Sequence, residues 1–145
     1  MKRLLLAALL VAFTSLAAAQ SNPNQCFNVL PSAARTAAAV NSNTLSNGSW
    51  RGVTLILNVT AFTSGQYILN VQAPIPATPT VFYTILASTA VATTVGMPLI
   101  FTVYPGITAS NNVTANAILP RSWRVNLAGT STPSMTFSID ACYAN

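Results

Sequence analysis

Hydrophobic and polar residues alternate along much of the chain with a period of two. The clearest run lies in residues 53–62, where Val53, Leu55 and Leu57 share one face and Asn58 points to the other. A period of two is that of a half-buried β-strand. This segment is therefore predicted to be a strand that covers a core.

A second alternating run follows closely, with Tyr67, Leu69 and Val71 on one face. The pair Ser64-Gly65 lies between the two runs and is typical of a turn. Together the two runs are predicted to form a hairpin.

Four further segments are rich in β-branched and aromatic residues and are predicted strands, residues 81–92, 99–104, 123–127 and 135–141. Glycine and proline separate them, at positions 96–98, 105–106, 120 and 129–133. About seven short strands with turns between them indicate one all-β domain. We expect a single antiparallel β-sandwich of the immunoglobulin-like or jelly-roll-like kind.

Two segments do not follow this pattern. Residues 33–40 have the propensity of a short helix, but they have no caps and no apolar stripe, so an edge strand is an equal alternative. Residues 74–79 contain three prolines, which cannot donate to a regular ladder, and are predicted to be a loop or an edge.

The first 19 residues have the three-part form of a secretory signal peptide. Lys2 and Arg3 precede an apolar run at residues 4–13, and small residues follow. Cleavage there would leave about 126 residues, with an extended leader at 20–34 and the sandwich domain at 35–145. The apolar run is too short to cross a bilayer, so we expect no membrane span. The signal peptide predicts a secreted, extracellular or cell-surface protein.

Charged residues are scarce, with six Lys or Arg, one acid and no His. Loss of Lys2 and Arg3 with the signal lowers the net charge from +5 to about +3. The four remaining arginines are scattered and do not form the basic stripe that nucleic acid needs, so nucleic acid is not an expected partner. Asp140 is the single acid, so paired carboxylates are absent. The absence of His also excludes the ordinary catalytic triads and imidazole metal sites. We therefore expect no catalytic activity, no bound metal and no cofactor.

Cys26 and Cys142 lie near the two ends of the mature chain. In an exported protein such a pair indicates a disulfide bond. Two interpretations are open. The bond either closes the domain on itself, which would contribute about 4–5 kcal/mol in the loop-entropy model, or links neighbouring subunits.

Three N-glycosylation sequons begin at Asn47, Asn58 and Asn112. A glycan on Asn58 would project from the polar face of the clearest strand. Chance is the alternative, because Asn, Ser and Thr are abundant in this chain. We expect occupancy at two or more of these sites if the source is a eukaryote, and none in a bacterium.

Tryptophan and arginine occur together in Trp50-Arg51 and in Arg121-Ser122-Trp123-Arg124. An aromatic ring beside guanidinium donors is typical of sugar-binding surfaces. Trp50, Arg51, Tyr104 and Arg121 are therefore a candidate ligand surface. Trp123 shares its face with two aliphatic residues and is predicted to lie in the core, whereas for Trp50 core packing and ligand stacking are both open.

Five segments in order resemble short all-β proteins encoded among bacteriophage virion genes. They are residues 31–52, 53–62, 83–86 (YTIL), 103–110 (VYPGITAS) and 119–125 (LPRSWRV). The resemblance covers about residues 31–139 and implies a β-sandwich module of virion or surface structure, without enzymatic activity and without ligand residues to carry over. Those proteins generally lack an export signal and the cysteine pair, and they carry more charge. This chain therefore resembles such a module adapted to an oxidising, extracellular setting.

Soluble proteins commonly protect the edges of a sheet with lysine, which the mature chain does not have. The leading hypothesis is a secreted structural subunit that assembles with copies of itself into a fibre or coat, by donating the leader at 20–34 to a neighbour. The alternative is a monomeric module that binds a glycan or a surface partner through Trp50, Arg51, Tyr104 and Arg121.

Overall fold

The computed structural model describes residues 25–94 and 97–145. Within them lie eight strands, β1 (Cys26–Arg35), β2 (Ala39–Asn41), β3 (Leu45–Ser46), β4 (Gly52–Ile75), β5 (Thr78–Val91), β6 (Leu99–Val103), β7 (Thr114–Ala115) and β8 (Ser122–Ala144). The predicted all-β class is confirmed. These described ranges hold no helix of the length and hydropathy needed to cross a bilayer. The predicted signal peptide, residues 1–19, lies outside the described residues.

The strands form a single open mixed sheet with the order β1-β8-β4-β6-β7. Two long strands, β4 and β8, lie at its centre and pair antiparallel along most of their length. Beyond this path, β2 and β3 pair with β8, and β5 pairs with β4. The predicted seven-stranded sandwich is not confirmed, because β4 and β8 run continuously through both halves of one sheet.

The sheet folds over on itself. Trp123 and Tyr143 are separated by 20 positions along β8, yet their ring centroids are 6.1 Å apart. A straight strand would separate them by about 65 Å at ~3.3 Å per residue. Tyr67 of β4 likewise contacts Phe137 of β8 edge-on, at 5.4 Å. The core therefore lies between the two halves of the folded sheet.

The predicted hairpin at Ser64-Gly65 is wrong, because β4 continues through it as one strand. Residues 129–133, predicted to break the chain between two strands, lie within β8 in the same way. Both segments are turn-forming in isolation. Here the backbone on either side of each segment finds its partner on the same neighbouring strand, so the chain bends without reversing.

The bend has a defined geometry, and we call it the crease, residues 64–66 of β4 with residues 130–134 of β8. Gly65 and Thr132 adopt positive φ angles of 70° and 41°. Pairing passes from Ser64 opposite Ser134 to Gln66 opposite Thr130, so β8 carries extra residues across the crease. Such a bulge bends a strand and increases its twist. The alternation of buried residues resumes on the same face beyond it.

The core consists of alternate residues of the two central strands, with β6 and β5 covering its flanks. Its largest fully buried side chains are Trp123, Tyr67, Phe137, Leu55, Leu57, Leu69, Leu127 and Ile139. The indole of Trp123 is 0% exposed, which confirms its predicted core position.

Most of the predicted leader is part of the sheet, because β1 pairs with the end of β8. Cys26 lies directly opposite Cys142, and their sulfurs are bonded at 2.06 Å within one chain. Of residues 33–40, positions 33–35 end β1, positions 39–40 begin β2 and positions 36–38 connect the two strands, so the segment is not a helix. The proline-rich segment 74–79 lies at the turn between β4 and β5, on the edge of the sheet.

Candidate functional site

Two loops form an open cleft of 330 Å³ where the two central strands begin. One loop precedes β4 and the other precedes β8. The lining residues are Asn47, Gly48, Ser49, Trp50, Arg51, Ile118, Leu119 and Arg121. Three of the four predicted ligand-surface residues therefore lie together. Tyr104 does not line the cleft, but its ring centroid is 5.8 Å from the guanidinium carbon of Arg51.

Asn47 joins the two loops and is only 3% exposed. Its Nδ2 donates to the backbone oxygens of Trp50 (2.7 Å) and Leu119 (2.8 Å), and its Oδ1 accepts from the backbone nitrogen of Trp50 (3.0 Å). Backbone bonds add to this link, from Asn47 to Arg121 (2.7 Å) and from Leu119 to Arg51 (2.9 Å). The shape of the cleft therefore depends on one buried amide.

These contacts correct the glycosylation prediction at Asn47. The nitrogen that would carry the sugar already donates to two backbone oxygens in the interior, so a glycan there is not compatible with this fold. Asn58 is exposed on β4 and Asn112 is exposed in the turn before β7. These two remain predicted glycosylation sites.

Trp50 is half-buried and forms one wall of the cleft. Its ring stacks on Tyr143 with centroids 6.0 Å apart and an interplanar angle of 3°. The Tyr143 hydroxyl donates to the backbone oxygen of Ser46 (2.8 Å) and accepts from Nε1 of Trp123 (3.2 Å). Burial raises the pKa of this phenol, while the bond from Trp123 opposes the rise. Trp50 thus packs against the core and also lines the cleft, and ligand stacking on it stays a prediction.

The four arginines of the described chain fall into two pairs. Arg35 donates to the backbone oxygens of Pro31, Ala33 and Phe137, and Arg124 donates through two nitrogens to Gln72. Both also stack on aromatic rings, at 4.4 Å and 3.5 Å. By contrast, the exposed side chains of Arg51 and Arg121 have no hydrogen bond or ion pair to any residue of 25–94 or 97–145. The cleft therefore presents guanidinium donors that the fold does not use.

Asp140 is the one carboxylate side chain of the sequence, and it does not line the cleft. It accepts a hydrogen bond from Nδ2 of Asn28 on β1, at 2.8 Å. Within the described ranges, no cluster of three or more His, Cys, Asp or Glu side chains is arranged to hold a metal ion. The cleft is thus positively charged and has no carboxylate or imidazole with which to move a proton.

Sequence reasoning identified the tryptophan and the arginines of this site but missed the residues that hold them. Asn47 begins a sequon, and the Asn47-Gly48 dipeptide is also a turn signal. Tyr143 lies beyond the last predicted strand, residues 135–141, and no role was predicted for it. Ile118 and Leu119 had no signal, because their place in the cleft depends on how the two loops meet.

The cleft thus combines an aromatic side chain with two arginines that make no hydrogen bond or ion pair within the described residues. Comparison with known proteins adds no further indication of its ligand, since no family model, curated protein or solved structure matches the chain. A function must therefore be argued from the geometry of the cleft itself.

Proposed function

We propose that the protein is a secreted, non-enzymatic module that binds a saccharide in the cleft. One observation carries the proposal, namely that Trp50, Arg51 and Arg121 line a single cleft. An aromatic face packs against the C–H groups of a sugar ring, and guanidinium N–H groups donate to its oxygens. A volume of 330 Å³ lies in the range of small-molecule sites, about 300–1,000 Å³.

Secretion is part of this proposal. The bond between Cys26 and Cys142 is compatible with an oxidising, extracellular compartment. Export also agrees with the signal-like pattern of residues 1–19.

The test is binding of the mature protein to an array of immobilised saccharides. Trp50→Ala should lower the affinity for any bound saccharide by at least about tenfold, since it removes the aromatic wall. Tyr83→Ala is the matched control, because Tyr83 is an exposed aromatic residue on β5 outside the cleft. Near-ultraviolet circular dichroism establishes that both variants are folded. Absence of saccharide binding, or equal affinity of native protein and folded Trp50→Ala, would contradict the proposal.

A second candidate function is self-assembly, and the hairpin of β4 and β5 favours it. Ile75, Val81 and Tyr83 are 36%, 49% and 46% exposed there. No charged residue occurs in β5, and no other strand of the described chain pairs with its outer edge. Two copies can therefore meet at this edge without opposing like charges. The resemblance to virion modules supports the same function.

Two observations limit the form that assembly can take. Residues 26–34 of the leader already pair with β8 of their own chain, so donation of that segment to a neighbour is not part of the candidate. Register shifts also interrupt the pairing of β5 with β4, which shortens the regular part of this edge. Assembly would have to use the exposed apolar side chains of the hairpin.

Light scattering after size exclusion, at micromolar concentration, tests assembly. An oligomer should dissociate in Val81→Lys, whereas Ile100→Lys, an equally apolar and exposed position on β6, should leave it intact. A native protein that is monomeric throughout would exclude this candidate.

A further inference from the structure

The strongest unused feature of the cleft is the pair of arginines that line it, Arg51 and Arg121. Each arginine has five N–H donors in a planar fork that matches the two oxygens of a carboxylate. Arg35 and Arg124 use this fork to hold the sheet together. Arg51 and Arg121 make no such bonds within the described residues, although both line the same cleft.

The position of Arg51 is set by its neighbours without using its donors. Its guanidinium lies over the ring of Tyr104, an interaction that leaves the N–H groups free. The Tyr104 hydroxyl in turn donates to the backbone oxygen of Asn145. Gly52 allows this arrangement, because a Cβ there would lie 2.6 Å from Cδ2 of Tyr104 and 2.4 Å from the backbone oxygen of Val103. Tyr104 is thus a positioning residue for Arg51.

The charge of the cleft indicates the kind of ligand. No carboxylate lines it, and Asp140, the one acidic side chain, accepts a bond from Asn28. Two like charges in one cleft repel each other, and a bound anion offsets that repulsion. Charge-assisted bonds from arginine to a carboxylate are about twice as strong as neutral ones.

From these observations we infer that the cleft selects saccharides that carry a carboxylate, such as uronates, and that Arg51 and Arg121 bind the carboxylate while Trp50 contacts the ring. This inference rests on the proposed saccharide function and names its ligand class. A nucleic acid strand fits less well, because one face of Trp50 is covered by Tyr143 and no second aromatic residue lines the cleft to stack a following base.

Two oligosaccharides of equal length, one of glucuronate and one of glucose, test the inference by calorimetric titration of the mature protein. The glucuronate oligomer should bind at least about tenfold more tightly than the glucose oligomer. Arg51→Gln and Arg121→Gln should each weaken binding of the glucuronate oligomer more than binding of the glucose oligomer, and so remove most of that difference. Tyr104→Leu should weaken glucuronate binding, but less than Arg51→Gln does. Tyr104→Phe keeps the ring and should leave glucuronate binding unchanged.

Arg124→Gln is the matched control, because it removes the same charge from a position outside the cleft. Equal loss of glucuronate binding in Arg124→Gln, with a native near-ultraviolet circular dichroism spectrum, would overturn the inference, since net charge alone would then explain it. Equal affinity for the two oligomers would also overturn it and leave the saccharide function standing. Binding of neither oligomer would overturn both proposals. Acetate or a thymidine oligonucleotide that competes as well as the glucuronate oligomer would overturn the saccharide class.

Discussion

Asn47 shows how much a single residue decides in this molecule. Its amide bonds to Trp50 and Leu119 and so fixes the distance between two loops that are 72 residues apart in sequence. A buried amide whose hydrogen bonds are all made contributes little net stability. Removal of that amide, however, leaves its backbone partners unpaired in the interior. The residue is therefore better described as a structural clamp than as a modification site.

Replacement of this clamp should be costly. We expect Asn47→Ala to lower the free energy of unfolding by about 2–4 kcal/mol, since it leaves buried backbone groups without partners. The matched variant Asn58→Ala, at an exposed sequon, should change it by less than about 0.5 kcal/mol. Urea denaturation followed by tryptophan fluorescence measures both, and equal effects would contradict the structural role of Asn47.

Buried phenols give the protein an alkaline limit. Burial raises the pKa of Tyr143, and it raises the pKa of Tyr67 against the opposing charge of Arg35. A raised pKa means that the folded state holds the proton more tightly than the unfolded state. The stabilising contribution is therefore complete below the ordinary tyrosine pKa of about 10 and is lost as the pH rises above it.

The urea midpoint should accordingly stay nearly constant between about pH 5 and pH 9, where the chain has no His or Glu to titrate, and should fall above about pH 10. Tyr143→Phe should show a smaller fall. Tyr83→Phe, which changes an exposed tyrosine on β5, should behave like the native protein. A midpoint that falls equally in all three proteins would exclude the buried phenol as the cause.

Among the secondary-structure elements, the crease is the feature that gives the fold its shape. It lets two long strands supply both halves of the sheet, and it brings Tyr67 against Phe137. Gly129 lies beside it and donates to the backbone oxygen of Ala38 at 2.6 Å. A Cβ at Gly129 would lie 2.6 Å from Cγ of Pro133 and 3.0 Å from Cε1 of Tyr67, so the backbone needs a glycine for close approach.

Gly129→Ala should therefore destabilise the protein by about 1–3 kcal/mol through overpacking at the crease. Gly48→Ala is the control, because a Cβ at Gly48 would meet no atom within 4 Å. Thermal unfolding should show a lower midpoint for Gly129→Ala alone. A similar midpoint for the two variants would mean that the crease adjusts without cost.

At the scale of the whole molecule, the disulfide closes almost all of the described chain. Cys26 and Cys142 are 116 residues apart, and β1 and β8 hold them opposite each other. A loop of this length restricts the unfolded chain strongly. The structure of the single chain thus has the bond that closes the domain on itself.

Cys26→Ser combined with Cys142→Ser should lower the free energy of unfolding by about 4–5 kcal/mol in the loop-entropy model. A reducing agent should produce the same loss in the native protein and no change in the double variant. A non-reducing gel should show a monomer. Covalent dimers on that gel, or a loss below about 1 kcal/mol, would contradict a stabilising bond within the chain.

Alternation by itself determined the all-β class, the positions of much of β4, β5, β6 and β8, and the buried face of Trp123, because burial on one side of a strand imposes a period of two. The cysteine pair and the candidate residues Trp50, Arg51 and Arg121 were also visible in the sequence. Tertiary structure decided whether Ser64-Gly65 and residues 129–133 reverse the chain. Turn-forming residues favour a turn and a bulge alike, and the choice depends on which strand pairs beyond them.

Tertiary structure also decided that Asn47 is a clamp and that distant arginines share one cleft. A sequon describes three neighbouring residues, whereas burial of its amide depends on Leu119, far along the chain. Local pattern thus limits the conformations that each segment can adopt. Pairing between segments, which burial of the core between the two halves of the sheet favours, selects one of those conformations.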